Sequence, residues 1–493
     1  MKTDHNDSRR WRPLSPWGRR GRDPALVLAL LLLVAVPCQV HAQRRTFTET
    51  WERVRQSHEG LEAERAALER ARDLEKASRA LARPSLKLAA TYTHLSDPVS
   101  LNLLDLNPMP AITESELGQK LAELLAQLGI SPGDVNRAFT TDFTRQDILY
   151  SNLLAMWPLY AGGRIDAARR IRGAQTTEAS ELVELKLRSV FSRTARLYFG
   201  VVLAREVVET RRMAEAALDR HLGNAVKLEE QGQIARVERL SAQANRDRAA
   251  VATKKAEEDL EIARLALASL LGEEDTFEPS SPLFVNATLP PAEEFVQKAL
   301  DSHPGLEILA ARKQQADGLI HVERGARLPE VFAFGNLTVY EDDSLLSKMA
   351  PDWAVGLGVG FEILDRSGHA AKTEAAREAV LQIGHLEAQT RRDLRVLVEK
   401  TWKEAVQARD EYEGLASSLE LARENERLRE KAFAQGLSTS LEVVDAQLLV
   451  TGVRTQRMAA AYNYVNALAR LLSLSGQMDA MAEYEKSGSE VIP

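Results

Sequence analysis

The sequence contains a single cysteine, Cys38, which lies close to its N-terminus. One thiol forms no internal disulfide and provides no set of thiolates for a metal ion. Because Cys38 lies within a predicted secretion signal, before its cleavage site, we expect it to be removed with that signal. The alternative that Cys38 accepts a lipid stays open, although Pro37 occupies the position where such signals place a small residue.

Long hydrophobic runs are missing beyond the N-terminal segment. After residue 42 no run of about 18 apolar residues occurs, so no transmembrane helix is predicted. The chain still has the composition of a folded protein, since 44% of its 493 residues are apolar and 27% are charged. If this protein spans a bilayer, it must do so with β-strands.

Catalytic motifs are missing as well. The sequence has no nucleophile elbow, no phosphate-binding loop and no histidine spacing typical of a metal site. We therefore predict neither an enzyme nor a bound cofactor or metal. The formal net charge of -7 disfavours nucleic acid as a partner.

Residues 1–42 have the organisation of a signal peptide. Basic residues up to Arg22 precede an apolar run from Ala25 to Val36, and small residues before Gln43 offer a cleavage site. We expect the exported protein to begin near Gln43.

The rest of the chain contains the same unit twice, and the two copies define the predicted repeats 43–288 and 289–493. At a shift of 245 residues the matches are His58 with His303, Gly60 with Gly305, Leu61 with Leu306, Glu62 with Glu307 and Pro84 with Pro329. Further along, at a shift of 204, they are Gln231 with Gln435, Gly232 with Gly436, Glu238 with Glu442, Ala242 with Ala446, Gln243 with Gln447 and Gly272 with Gly476. The change of shift predicts a loop insertion at 96–147 of the first repeat.

Each repeat is predicted to contain a long helical hairpin, at 163–272 and at 368–476. Proline is absent between Pro158 and Pro279 and again between Pro351 and Pro493, and a proline inside a helix would cost about 3 kcal/mol. Apolar residues in both stretches alternate spacings of three and four, the pattern of a coiled coil. Periodicity alone leaves an ordinary helical bundle open, but a first helix about 100 Å long would exceed any compact domain.

Segments of period two precede each hairpin. From Trp353 to Ile363 apolar residues alternate with small or polar ones, as in a strand with lipid on one side and a water-filled lumen on the other. Strands are predicted at about 330–341 and 352–363, with first-repeat equivalents at about 85–95 and 148–158. The alternative is a set of edge strands in a soluble periplasmic domain. Four spanning strands cannot close a barrel, so a membrane protein of this kind must oligomerise.

The residues that join the second strand to the long helix carry a family resemblance. They read Pro158, Leu159, Tyr160, Ala161, Gly162, Gly163, Arg164. This segment closely resembles the proline-leucine-phenylalanine-aspartate-glycine-glycine-arginine signature of the TolC-like outer-membrane efflux family, and Glu362 to Gly368 is a degenerate second copy. The resemblance implies an α+β membrane protein in which a homotrimer closes one twelve-stranded β-barrel and the hairpins form a periplasmic α-barrel.

The resemblance also implies a function and partners. The trimer would be an outer-membrane exit duct of a tripartite efflux or type I secretion system, conducting small molecules or proteins passively. A periplasmic adaptor would link it to an inner-membrane pump and would meet the hairpin tips, around Gln231, Gly232, Gln435 and Gly436. The rival hypothesis is a soluble periplasmic coiled-coil adaptor or scaffold, which would not need the alternating strands twice.

Glu442 and Asp445 are the candidate pore residues. They lie three positions apart just after the second tip, so they share one helix face, and in a trimer they would form two acidic rings. The corresponding positions of the family resemble an aspartate pair that lines the periplasmic entrance. Glu238 matches Glu442 in the first repeat, but Ser241 replaces the second acid. The alternative is a solvated helix face, since the chain has 71 acidic residues.

Overall fold

The computed structural model describes residues 44–103, 115–272, 277–363 and 366–491. The predicted signal peptide, including Cys38, lies outside the described residues, as do 104–114 of the predicted insertion and 364–365 of the second strand–helix junction. The chain divides into two compact units after Arg44. The fold described here is that of the second unit, which begins at Arg45. Within the described ranges, no helix combines the length and hydrophobicity needed to cross a membrane.

Helices dominate the structure, and the strands are few. The helices are α1 Phe47–Ser57, α2 Glu59–Ser78, α3 Glu116–Gln127, α4 Pro132–Phe139, α5 Arg164–Glu230, α6 Arg236–Leu271, α7 Ala292–Ser302, α8 Pro304–Gly325, α9 Leu345–Met349, α10 His369–Ala434, α11 Ser440–Ser475 and α12 Met481–Ser487. The strands are β1 Arg44–Arg45, β2 Ser85–His94, β3 Ser100–Asn102, β4 Thr140–Asp142, β5 Asp147–Ala161, β6 Glu278–Pro279, β7 Phe284–Val285, β8 Glu330–Glu341, β9 Trp353–Gly360 and β10 Ser489–Glu490.

One succession of elements occurs twice along the chain. The series α1, α2, β2, β5, α5 and α6 is followed by α7, α8, β8, β9, α10 and α11. Helix α7 begins and ends 245 residues after α1, and α11 begins and ends 204 residues after α6. Between β2 and β5 the first series carries α3, α4 and the small antiparallel sheet of β3 and β4.

The long helices pack as coiled-coil hairpins. Helix α5 has 67 residues, which corresponds to about 100 Å, and it packs along both α6 and α11, while α10 packs along α11. The apolar stripe predicted on the second long helix is buried at seven of its positions, Leu394, Val398, Thr401, Ala405, Ala408, Tyr412 and Leu419. Burial of one stripe per helix, rather than intrinsic propensity, stabilises helices of this length.

Four strands form one antiparallel sheet in the order β2-β5-β8-β9, so β2 and β9 are its edges. The register places Leu88 opposite Leu153, and Leu357 opposite Ala333. Two glycines of β9 leave room for cross-strand rings. A Cβ on Gly356 would lie 2.7 Å from the ring of Phe334, and a Cβ on Gly358 would likewise clash with the ring of Phe332.

The main hydrophobic core lies against one face of α5 and α11. It includes the aromatic side chains of Phe47, Phe191, Tyr198, Phe199 and Phe284, all of them buried. The Tyr198 hydroxyl donates to the carbonyl of Arg45 and accepts from the backbone of Ser281, at 2.7 and 2.9 Å. These contacts hold α1, α7 and the short strand β7 on that side of the long helices.

Candidate functional site: the hairpin tips

Both hairpins reverse through the same glycine turn. Gly232 and Gly436 have φ of 72°, a left-handed conformation that glycine adopts without steric cost. In the first tip the backbone N–H of Gln233 donates to the carbonyl of Leu228 at 2.8 Å, which closes a helix C-terminus in the usual glycine motif. The structure places the predicted tip residues Gln231, Gly232, Gln435 and Gly436 in these two turns, all of them exposed.

Glu442 is held by its own helix start. It is the third residue of α11, and it forms a capping box with Thr439. Its Oε2 accepts from the Ser438 hydroxyl at 2.6 Å and from the Thr439 backbone at 2.9 Å, while Oε1 pairs with Arg429 at 2.9 Å. The Ser438 hydroxyl and then the Thr439 N–H lower the pKa of Glu442. Both carboxylate oxygens of this predicted pore residue are therefore engaged within one chain.

Asp445 is the freer of the two predicted acids. Its side chain is exposed, and it makes no hydrogen bond or ion pair with any residue that the structure describes. Exposed positions on this part of α11 include Leu441, Asp445, Leu448 and Gly452, with Leu449 beside them; the first four are spaced by four, three and four residues as on one helix face. Asp445 is thus presented on an uncovered stripe of α11.

The two hairpins are joined at their tips by a buried polar contact. Glu238 of α6 accepts from the backbone N–H of Ser440 at 2.8 Å, so the first hairpin caps the second hairpin's helix. His221 of α5 bonds through Nε2 to the Ser440 hydroxyl at 2.7 Å, and its ring packs against that of Phe433 with centroids 4.5 Å apart and the planes tilted by 56°. We call His221, Glu238, Phe433 and Ser440 the tip tie.

Sequence reasoning missed His221 and Ser440 and treated Glu238 only as the counterpart of Glu442. The available signal was Ala235, which occupies the capping position before α6 and has no side chain that can cap it, whereas Thr439 caps α11. Without a capping partner, Glu238 is not held by its own helix start and contacts Ser440 instead. The two equivalent glutamates therefore have different roles, one local and one between hairpins.

A small apolar cluster seals the tip tie from water. Its buried members are Ala225, Ala242, Phe433 and Val443. His221 is only 4% exposed, and this burial lowers its pKa, with the nearby charge of Glu238 opposing the effect. The imidazole is therefore neutral near pH 7 and acts as a hydrogen-bonding group.

Acidification is expected to loosen the tips through His221. Its pKa in the folded tip lies below the unfolded value of about 6.5, so its contribution to stability is complete above that value and is lost as pH falls toward the folded pKa. Glu238 is the charged group that acts on this ring, while α10 and α11 present Phe433 and the Ser440 hydroxyl. Amide hydrogen exchange at the tips, corrected for intrinsic rates, should be roughly 3- to 10-fold faster at pH 5 than at pH 7.5.

The matched comparison is between His221→Asn and His321→Asn, because His321 lies exposed on α8 away from the tips. The first substitution should remove most of the pH dependence of exchange at the tips, and the second should leave it unchanged. Equal pH dependence in the native chain and in His221→Asn would show that other groups titrate there.

The strand–helix junction explains four residues of the Pro158–Arg164 signature. Pro158 lies in β5 beside a register irregularity, where a residue without an N–H is tolerated. Gly162 and Gly163 have φ of 61° and 78°, and they turn the chain from β5 into α5. Arg164 then fixes the turn, since its guanidinium pairs with Glu330 of β8 at 2.6 Å and donates to the carbonyl of Ala161 at 3.3 Å.

In the second copy of this junction, Gly368 supplies the left-handed residue before α10, with φ of 70°. His369 then bonds to Glu323 of α8 at 2.6 Å. An ionisable pair thus fastens each long helix to a neighbouring element. Leu364 and Asp365, which keep the hydrophobic–acidic pair of the signature, lie outside the described residues.

The long hairpins, the glycine turns and the small sheet can be compared with those of known families. The chain belongs to the outer membrane efflux protein family, whose model matches residues 51–273 and again 295–477. The predicted family and the predicted outer-membrane location are confirmed. The comparisons favour an efflux channel over the soluble adaptor that the sequence left open.

The curated relatives align with part of their length. The outer membrane protein TolC of Vibrio cholerae is 26% identical over 215 residues, covering 42% of this chain and 47% of the relative. The cobalt-zinc-cadmium resistance protein CzcC of Cupriavidus metallidurans is 27% identical over 236 residues, covering 45% and 53%. The chain thus spans about half the length of the curated relatives it matches.

A solved structure extends the likeness over nearly the whole chain. The crystal structure of the outer membrane protein VceC from Vibrio cholerae superposes with a TM-score of 0.69 at 14% identity. The match covers 88% of this chain and 96% of that one. At this identity the comparison shows a shared fold.

Proposed function

We propose that three copies of this chain form an exit duct that spans the outer membrane and conducts small molecules or proteins passively from the periplasm to the exterior. The observation that carries the proposal is an uncovered apolar stripe on the sheet. Val355, Leu357 and Val359 of β9 are 74%, 72% and 70% exposed. A contiguous stripe of this kind is unfavourable in water and favourable against lipid.

The two faces of the sheet differ as a membrane barrel requires. Leu86, Leu88 and Tyr92 of β2 alternate with polar residues and are well exposed on the apolar side. On the other face, the amide of Asn152 donates to Asn336 at 3.0 Å. Lipid outside and a water-filled lumen inside would match these two faces.

The open edges of the sheet favour an oligomer. Unpaired backbone groups on β2 and β9 would each cost several kcal/mol in lipid, and closed barrels need at least about eight strands. Pairing β9 of one copy with β2 of the next removes both edges. Three copies then give twelve strands, the number implied by the family, and the hairpins continue the duct into the periplasm as an α-barrel.

The exposed tips are the surface that we assign to a periplasmic adaptor, through which an inner-membrane pump would supply cargo. Gln231, Gly232, Gln435 and Gly436 lie at the ends of the hairpins farthest from the sheet. Their exposed turns leave polar side chains available to a partner. In this arrangement the lipid contacts are made by the sheet, at the opposite end of each hairpin.

Asp445 is the residue that we assign to the acidic constriction. Three copies would bring three free carboxylates together, and a ring of like charge favours cations. Asp445→Asn is expected to reduce cation selectivity and to raise conductance by roughly 2-fold, because it removes a fixed charge and any cation held by it. Single-channel recording in planar bilayers, with a salt gradient for the reversal potential, measures both quantities.

Asp259→Asn is the matched control for Asp445→Asn. Asp259 is an exposed acid on α6, more than twenty residues from the tip, so its substitution should leave selectivity unchanged. Glu442→Gln requires a separate experiment, since that change also weakens the capping box of α11. Channels insensitive to Asp445→Asn would place the constriction elsewhere, and purified protein without any channel activity would overturn the duct.

A further inference from the structure

A groove of about 900 Å³ runs between α5, α10 and α11 near the middle of the long helices. Most of its α11 lining lies on the side away from the main core, although Ala408 and Ala467 of that core also border it. Tyr464 and Leu468 are fully buried in that core, whereas Asn463, Asn466 and Arg470 line the groove, as expected from a turn of about 100° per residue. Its volume is in the range of sites that accommodate drug-sized molecules.

Three arginines give this groove a cationic rim. The side chains of Arg193, Arg196 and Arg470 are exposed, and their guanidinium groups make no hydrogen bond or ion pair with a residue that the structure describes. Arg188 differs from them because it is buried and bonds to Glu184 at 2.9 Å and to the carbonyl of Ser302 at 3.0 Å. The three rim arginines therefore keep their donors available.

The acids that line the groove do not cancel this charge. Glu404 lies 3.7 Å from Lys400 outside the groove, and Glu411 is the second carboxylate. Because Arg188 is paired with Glu184, the three rim arginines against two glutamates leave the groove with a net charge of +1, in a chain whose net charge is -7. His303 adds nothing to the charge, because burial lowers its pKa to about 4.

The inner part of the groove is apolar and has one unpaired polar atom. Leu185, Leu397, Leu474 and Tyr462 contribute to the lining. The Oδ1 atom of Asn466 is buried without a hydrogen-bond partner among the described atoms, which is costly unless a ligand or water satisfies it. Cationic donors at the rim, apolar walls and an unpaired acceptor together form a surface for a molecule with two chemically different ends.

We propose that the groove binds anionic amphiphiles, that is, molecules with a carboxylate or sulfonate group on an aromatic or aliphatic body. Arginine recognises such anions through paired, charge-assisted hydrogen bonds. The proposal rests on the proposed duct in one respect: Asp445 and Arg470 lie on the same exposed side of α11, about 38 Å apart along it. If Asp445 faces the lumen, the groove faces it too, and its ligand is cargo in transit.

The test is binding of fluorescein, a rigid aromatic anion, to the purified full-length protein in detergent, followed by fluorescence anisotropy. The native chain should bind fluorescein more tightly than the cationic dye rhodamine 6G. Combined Arg193→Gln, Arg196→Gln and Arg470→Gln should weaken fluorescein binding at least about 30-fold, since each substitution removes a charge-assisted contact. Raising the salt concentration should weaken binding to the native chain.

The matched control removes the same number of charges elsewhere, through Arg377→Gln, Arg391→Gln and Arg427→Gln. These three arginines lie exposed on α10 in ion pairs with glutamates about one helical turn away, and their loss should leave fluorescein binding unchanged. Equal affinity in the rim variant and the native chain, or equal weakening by the control, would overturn the proposed site. Fluorescein binding by a protein that forms no channels would overturn the duct and leave the groove intact.

Discussion

Leu357→Arg is expected to prevent assembly of the trimer in the outer membrane. Leu357 is 72% exposed in the middle of the apolar stripe of β9. An arginine on the lipid face at the middle of the bilayer costs about 2–4 kcal/mol, and a trimer would carry three of them. The measurement is the amount of unheated, trimer-sized protein on a semi-native gel of outer-membrane fractions.

Thr91→Arg provides the control for the added charge and size. Thr91 lies on β2 and is exposed on the same face as Lys87, the face that we assign to the lumen. The Thr91→Arg variant should therefore form trimers at nearly the native level. If both variants assembled equally well, or if the native chain were recovered as soluble periplasmic protein, the assignment of the apolar stripe to lipid would be wrong.

The long elements could be predicted because local signals of several kinds agreed. Absence of proline, heptad spacing and turn glycines predicted a hairpin at 163–272, and the structure has α5 Arg164–Glu230 followed by α6 Arg236–Leu271. Strand ends were less accurate, because pairing rather than alternation ends a strand. The alternating pattern runs to Ile363, but β9 ends at Gly360, which pairs with Glu330 at the start of β8.

The contacts at the tips could not be predicted in the same way. Spacing alone predicted that Glu442 and Asp445 share one helix face, but not that Arg429 and Ser438 would engage Glu442 while Asp445 stays exposed. The tip tie joins residues 219 positions apart, His221 and Ser440, and nothing in either local sequence specifies which helix packs beside the other. The cationic groove is also a product of packing, because its arginines come from α5 and α11.

Gly325→Ala is expected to destabilise the junction between the sheet and the long helices by about 3 kcal/mol. Gly325 is the last residue of α8, and a Cβ placed there would overlap the carbonyl oxygen of Gly162 and lie 2.8 Å from Cγ of Arg164. The backbone at Gly162 cannot move away easily, because it connects β5 to α5. Thermal unfolding of the purified protein and the yield of trimer measure the effect.

Gly173→Ala separates this contact from the general effect of replacing a helical glycine. Gly173 lies within α5, and a Cβ there would meet no atom within 4 Å, so alanine should stabilise the helix by up to about 1 kcal/mol. Gly325 has no positive φ either, so its backbone alone would also favour alanine. If Gly325→Ala destabilises the protein while Gly173→Ala stabilises it, the loss of stability is due to the close approach of α8 and the junction. If both substitutions stabilise the protein, the junction shifts to accommodate a methyl group.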